Sequence, residues 1–253
     1  MARLRPQSAT SLVERVTQEI KASILAGALR PGEQFSIAEL CNELDVSHIP
    51  VREALRRLDA DGLVTLRPGK SAIVTPLSIE ELTEVYKLRL LLEPDLAGRS
   101  APNYTTEQLD LLESLCEELR PPTDGTGHGQ HKEPHRRFHE LLVSPAAGPH
   151  ASAILSRLWD AADRYVSLVF DGRPRPAEEP YRRHREIVAA AQRKRAPAMR
   201  KVLAEHLVAN EEYMLSSLTP LLSATDDAKV TAGEDGAAGM DRASLARAWT
   251  AAR

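Results

Sequence analysis

The sequence predicts a mainly α-helical protein in two parts: an N-terminal winged helix-turn-helix over residues 1–77 and a C-terminal all-α helical bundle over residues 78–220. Three observations carry this prediction. Capping boxes recur at Ser11-Leu12-Val13-Glu14, Ser36-Ile37-Ala38-Glu39 and Ser78-Ile79-Glu80-Glu81; in each, a hydroxyl and a carboxylate three residues on can satisfy the orphan N–H groups of a first helical turn. Two short β-like runs, Leu63–Leu66 and Ala72–Thr75, flank Arg67-Pro68-Gly69-Lys70-Ser71, which has the composition of a hairpin turn. From Ser78 to Leu218 the apolar residues keep helical spacing.

In the first part, Leu12, Val16, Ile20 and Ile24 make the buried stripe of a first helix, and Gly27 stops it. Arg30-Pro31-Gly32-Glu33 is a turn. Ile37, Leu40, Cys41 and Leu44 are the stripe of a second helix, followed by a short turn at Asp45-Val46. Ser47 caps a third helix with the apolar face Val51, Ala54, Leu55 and Leu58; Pro50 falls in its first turn, where a missing N–H costs little. In the second part a helix opens at Ser78 and runs through Leu82, Val85, Leu88, Arg89 and Leu92, with a kink expected at Pro94. Thr105 to Gln108 opens another, carrying Leu109, Leu112, Leu115 and Leu119. Residues 120–134 read as a Gly/Pro-rich loop, and further helices are expected at about 135–143, 150–170, 180–195 and 197–218. The alanine-rich segment 221–253 reads as a mostly disordered tail.

Composition narrows the function. The 253 residues are 42% hydrophobic and 27% charged, as in a globular protein with a sizeable core. The net charge of −3 does not by itself suggest a nucleic-acid partner, but residues 1–77 carry 10 basic and 9 acidic groups while 78–220 carry 19 and 22. The only cysteines are Cys41 and Cys116, which gives neither a disulfide framework nor a CxxC metal knuckle and points to a reducing cytoplasm. The N-terminus has no apolar signal-peptide core, and no apolar run approaches the roughly 20 residues of a membrane span.

Two short helices, a tight turn and a hairpin put the start of the third helix where a recognition helix meets the major groove. That end is Ser47, His48, Ile49 and Pro50, with Arg52, Arg56 and Arg57 on or near the outward face. Arginine forks to guanine or to phosphate. Gly69 and Lys70 form the hairpin tip, and Arg3 and Arg5 can add an arm. Periodicity alone leaves a second reading open, a small helical bundle with the arginines on a solvated face. The runs Leu29-Arg30-Pro31-Gly32-Glu33, Ser47-His48-Ile49-Pro50-Val51-Arg52-Glu53-Ala54-Leu55-Arg56-Arg57-Leu58 and Asp61-Gly62-Leu63-Val64 resemble the GntR family of bacterial transcription regulators. The helical remainder resembles its FadR subfamily with an FCD effector domain, and the likeness covers about residues 10–218. It implies a cytoplasmic homodimer, more often a repressor than an activator, that binds double-stranded DNA at a pseudo-palindromic operator. It assigns operator reading to Arg52 and the start of the recognition helix, and a DNA contact to the Gly69-Lys70 wing tip. One departure is that His48-Ile49 stands where the family commonly has Arg-Thr.

Among eight histidines, His128 and His131 fall in the Gly-rich loop. His135 and His139 are four apart on one predicted helix, on the face of Phe138 and Leu142. His184 shares a face with Ile187, Val188 and Ala191, and His206 with Val202, Leu203 and Asn210. A single histidine on an apolar stripe is commonly a satisfied core residue, but three helices aiming imidazole inward need a ligand, a charge partner or a metal. The spacing resembles the FCD metal motif, whose three histidine positions His139, His184 and His206 match. His135 stands at that motif's usual Asp position, which replaces an anionic oxygen by a neutral nitrogen and favours an anionic effector. The resemblance implies a divalent metal, Zn or Ni ahead of Mn, with open positions for a small carboxylate effector. It also places Arg89 near the pocket; Asn210, one turn from His206, is a candidate cavity residue, and a salt bridge is the plain alternative for Arg89.

An enzyme reading is weaker. His139-Glu140-Leu141-Leu142-Val143 misses HExxH because Val143 stands at the second histidine, and Glu140 cannot share a face with its neighbour. No GxSxG elbow is present, and the glycines from Gly62 to Gly69-Lys70-Ser71 have neither phosphate-loop spacing nor a following helix. A purely structural helical protein would explain the stripes but not the recognition-helix signature.

Overall fold

A computed structural model describes residues 11–68, 71–120, 132–170 and 178–231. The chain divides into two compact units, Met1–Leu77 and Ser78–Arg253.

The first unit has α1 (Leu12–Ala26), β1 (Gln34–Ser36), α2 (Ile37–Leu44), α3 (His48–Ala60), β2 (Val64–Arg67) and β3 (Ser71–Val74). Ser11 accepts from the Glu14 N–H to start α1, and Gly27 ends it in the left-handed region at φ 79°. Ser36 and Glu39 form a complete reciprocal box on α2. At α3 the expected cap is only half there: Ser47 has the extended N-cap backbone, but its side chain makes no capping hydrogen bond. The hairpin β2–β3 is joined by β1, which pairs antiparallel with β3 so that Phe35 lies opposite Ala72. β1 was not foreseen, because three residues with a single hydrophobe show no alternation. Ile20, Val51, Leu55, Leu58, Ala72 and Val74 close the core of this unit. Gly62 turns the chain from α3 into β2 at φ 77°, which a Cβ-bearing residue adopts only under strain.

The second unit has α4 (Ile79–Ser100), a 3-10 turn at Ala101–Asn103, α5 (Thr106–Glu118), α6 (Lys132–Val143), α7 (Pro149–Phe170), α8 (Glu178–Gln192) and α9 (Ala196–Thr231). α4 stays one element through Pro94. α9 continues past the expected end at Leu218 to Thr231, into the segment read as a disordered tail; residues 232–253 lie outside the described residues. Leu96, Leu112, Phe138, Leu155, Ile187 and Leu203 come from six different helices and meet in one core. Two of its buried hydroxyls are satisfied by backbone: Ser100 Oγ donates to Val143 O (3.0 Å) and Tyr104 Oη to Leu142 O (2.5 Å).

The box at α4 is opened by its surroundings. Ser78 Oγ accepts from Glu81 N (3.0 Å), but the Glu81 carboxylate turns to Tyr165 Oη and to Arg164 Nη1 (3.1 Å) on α7. Tyr165 Oη also accepts from the Ser78 N–H (3.3 Å) and lies 3.0 Å from Ser78 O, so α7 holds the first turn of α4.

Candidate metal and effector site

His135 and His139 on α6, His184 on α8 and His206 on α9 converge inside the second unit. Their nearest ligand atoms lie within 4.8 Å of one another. Ring centroids are 4.7 Å apart for His135–His139, 5.1 Å for His135–His184, 4.6 Å for His184–His206 and 5.3 Å for His139–His206. His139, His184 and His206 are buried and His135 is half-buried.

Hydrogen bonds outside the cluster orient these rings. His139 Nδ1 donates to Glu93 Oε2 (3.0 Å) and His184 Nδ1 donates to Pro180 O (2.7 Å). Both partners only accept, so each Nδ1 carries the proton and each Nε2 keeps its lone pair for the cluster. His206 uses the opposite nitrogen: its Nε2 is 3.0 Å from the Asn210 side-chain amide. An amide N–H donating there puts the ring proton on Nδ1, so His206 offers the inward Nδ1 as a ligand only with the Asn210 amide turned to present its oxygen to Nε2. Nε2 of His135, His139 and His184, and Nδ1 of His206, are buried and make no hydrogen bond among the described residues. Buried nitrogens without a donor suit a cation, and four imidazoles are a donor set for Zn or Ni. The residues therefore fit a divalent metal.

Glu93 supports the cluster from behind. Its Oε1 accepts from Arg89 Nε (2.6 Å) and from Trp159 Nε1 (2.9 Å), and all three groups are buried. Burial opposes its charge, but the Arg89 guanidinium and the His139 hydrogen bond outweigh burial and hold the carboxyl at about 2. Arg89 is thus a buried ion pair within α4 that also faces the cavity, not a surface bridge. The spacing of Arg89 and Glu93, four apart on a helix, is the signal by which Glu93 could have been found. Trp159 left no such trace, because it reaches the site from α7; Arg136 stands on α6 next to His135 and three residues before His139, and its place beside the histidines was the signal that could have found it.

A small cavity of about 30 Å³ opens beside the cluster. Arg89, His135, His139 and Asn210 line it, so the structure brings these predicted residues together; His184 and His206 sit behind it. Arg136 lines it as well, with its Nη1 on Asp160 (3.0 Å) and Asp163 (3.5 Å). Glu140 is exposed and takes Arg136 Nε (2.8 Å), so it is turned away as its helix position requires.

In the first unit, Ser47, His48, Ile49, Arg52, Arg56 and Arg57 are exposed around the start of α3. His48 Nδ1 lies 3.5 Å from Cys41 Sγ, and Arg56 pairs with Glu53 (2.6 Å). Pro50 corrects the expectation: it lies in the first turn of α3 and is buried, as Val51 is, so it does not face a groove. Gly69, Lys70, Arg3, Arg5, His128 and His131 lie outside the described residues.

Two family profiles match these two parts: bacterial regulatory proteins of the gntR family over residues 12–74, and the FCD domain over residues 84–209. An HTH-type transcriptional regulator in the TAR-I ttuE-ttuC' intergenic region of Agrobacterium vitis is 31% identical over 143 residues, 55% of this chain and 84% of the relative. The chain belongs to the GntR family. The HTH-type regulator YdhC of Bacillus subtilis (strain 168) is 28% identical to this GntR protein over 197 residues, 78% of the chain and 88% of YdhC. The solved structure of E. coli McbR/YncC superposes with a TM-score of 0.75 at 24% identity, over 83% of this chain and 100% of that one, and shares the fold. The protein is accordingly a DNA-binding transcription regulator with an FCD effector-binding domain. Among the described residues no helix is long and apolar enough to cross a membrane.

Proposed function

We propose that this GntR regulator is a homodimeric repressor whose hold on a pseudo-palindromic operator is loosened by a small carboxylate effector. The effector domain holds one divalent metal, zinc or nickel, on His135, His139, His184 and His206. The observation that carries this is the convergence of four inward ring nitrogens, three of them on rings whose other nitrogen is fixed by Glu93, Pro180 or Asn210. A bound divalent ion supplies a Lewis-acidic seat for a carboxylate oxygen. Arg89 and Asn210 flank that seat.

On the DNA side, Ser47, His48, Arg52 and Arg56 present the groove-facing end of α3, and their exposure supports the role. The Gly69-Lys70 wing tip is assigned from sequence alone. Two-fold symmetry of the dimer calls for two half-sites about one helical turn apart.

The test is elemental analysis of the full-length protein purified without chelator, with His184→Ala beside it. About one zinc or nickel per protomer, lost in the variant, is expected. Failure to take up either metal would overturn the metal site. In the loaded protein an effector acid should then weaken operator binding by about 5–150-fold, the range of ordinary allosteric coupling; an acid that tightens it reverses the sign of regulation.

A further inference from the structure

Ile49 has no part in the operator contacts proposed above. Yet among the described residues it is the most exposed large hydrophobic side chain, at 75%. It is the second residue of α3, which begins at His48. Pro50 and Val51, the next two residues, are buried, so the first turn of α3 is seated on the core of its unit and holds Ile49 outward. Arg52 and Arg56 follow three and seven residues on, share the Ile49 face of the helix, and are exposed. His48 beside it is anchored to α2, with Nδ1 3.5 Å from Cys41 Sγ.

The surroundings of Ile49 suit DNA and not a protein partner. The first turn of α3 holds no acidic residue, whereas those of α1, α2, α4 and α5 each carry at least one. A carboxylate at that end would repel phosphate. From Ser47 to Leu58 the one acidic side chain is Glu53, and it pairs with Arg56. Ile49 is the only apolar residue among the exposed ones from 47 to 57, and three arginines stand with it. A protein-docking surface needs a contiguous apolar patch, which a single isoleucine does not make. The edges of base pairs in the major groove are polar apart from one group, the 5-methyl of thymine.

We infer that Ile49 sets operator specificity by packing on the 5-methyl group of one thymine in each half-site, which rests on α3 being the recognition helix proposed above. Arg52 and Arg56 supply attraction to guanine or phosphate from the same face. Ile49 adds a preference for thymine at its own position without a hydrogen bond, because cytosine presents an amino group and a bare C5 where thymine presents O4 and the methyl. Taking one methyl group out of a buried contact weakens it by about fourfold.

The experiment starts from an operator duplex selected out of random-sequence DNA by the full-length protein. The thymidines of one half-site are replaced one at a time by deoxyuridine, which lacks only the 5-methyl group and keeps the base pairing. Affinity for each duplex is measured with the native protein and with Ile49→Ala, whose melting temperature should stay unchanged because the side chain is exposed. At one position uracil is expected to weaken the native protein by about fourfold and Ile49→Ala by less than about twofold. Uracil tolerated at every position, or a uracil penalty of the same size in Ile49→Ala, would overturn the role of Ile49. Arg52→Ala on the same operator separates this role from that of the helix. Weakened binding in Arg52→Ala without any uracil penalty that depends on Ile49 removes the thymine contact and leaves α3 as the recognition helix. Operator affinity unchanged in both Arg52→Ala and Ile49→Ala removes the recognition helix as well.

Discussion

His139 Nδ1 lies 3.0 Å from Glu93 Oε2, both side chains buried, and the opposite carboxylate oxygen takes Arg89 and Trp159. One carboxylate thus sets the ring orientation of a proposed metal ligand and the pose of the arginine that lines the cavity. Glu93→Gln keeps the shape and removes the charge. It should cut zinc affinity by about 10–100-fold through the lost support of His139 and destabilise the fold by about 3–5 kcal/mol, because Arg89 becomes a buried charge without a counter-ion. Competitive zinc titration and denaturant unfolding measure the two effects separately.

His135→Asp places an anionic oxygen in the cluster. Metal affinity should hold or rise, while affinity for an anionic effector should fall, since the aspartate already neutralises the charge the effector would meet. Metal content together with acid titration of the same variant tests this; unchanged acid affinity would refute the charge argument.

Tyr165 ties α7 to the first turn of α4 through Ser78 O and Glu81. α7 also supplies Trp159, Ala162, Asp163 and Val166 to the cavity wall. Tyr165→Phe removes the hydroxyl alone and should cost about 1–3 kcal/mol of stability. Metal content and acid affinity should stay as they are, and the operator response to acid should shrink. An undiminished response would show that α7 does not carry the signal through this contact.

Arg52 is exposed on α3, whereas Pro50 in the same helix is buried. Arg52→Ala should lower operator affinity by about 1–3 kcal/mol with little change in melting temperature. Electrophoretic mobility shifts on a mapped operator, compared with thermal melts, distinguish a recognition loss from a folding loss.

Cys116 is fully buried in the helical core, and burial pushes its thiol up to about 11. A group whose folded pKa is raised adds stability below its unfolded value, near 9, and loses it as pH rises toward the folded one. Stability should therefore fall between about pH 9 and 11 more steeply in the native protein than in Cys116→Ala. At pH 8 the native thiol should resist alkylation that labels the unfolded chain.

Much of this was legible in the residues, for local reasons. The boxes on α2 and α5 satisfy N–H groups within four residues on both sides, as their spacing predicts, while at α1 the Ser11 hydroxyl caps the helix. The four histidines sit on helix faces that periodicity marks as inward. What local pattern could not show is how groups distant in sequence compete for one atom. The Glu81 carboxylate leaves its box for Tyr165, more than eighty residues on. Trp159 joins the site through α7 packing, which no spacing encodes. β1 exists only because β3 offers it an edge.

The position of Trp159 also gives the molecule its own optical readout. The chain holds two tryptophans, Trp159 and Trp249. The first has its ring N–H on Glu93 and its face 5.1 Å from the Arg136 guanidinium, at the rim of the histidine cavity. Emission from that indole will respond to whatever occupies the cavity: an open-shell ion such as Ni²⁺ will quench it, Zn²⁺ will shift it without quenching, and an effector acid will change it again. Trp249→Phe removes the second emitter, and filling of the site can then be followed in dilute solution with no label attached.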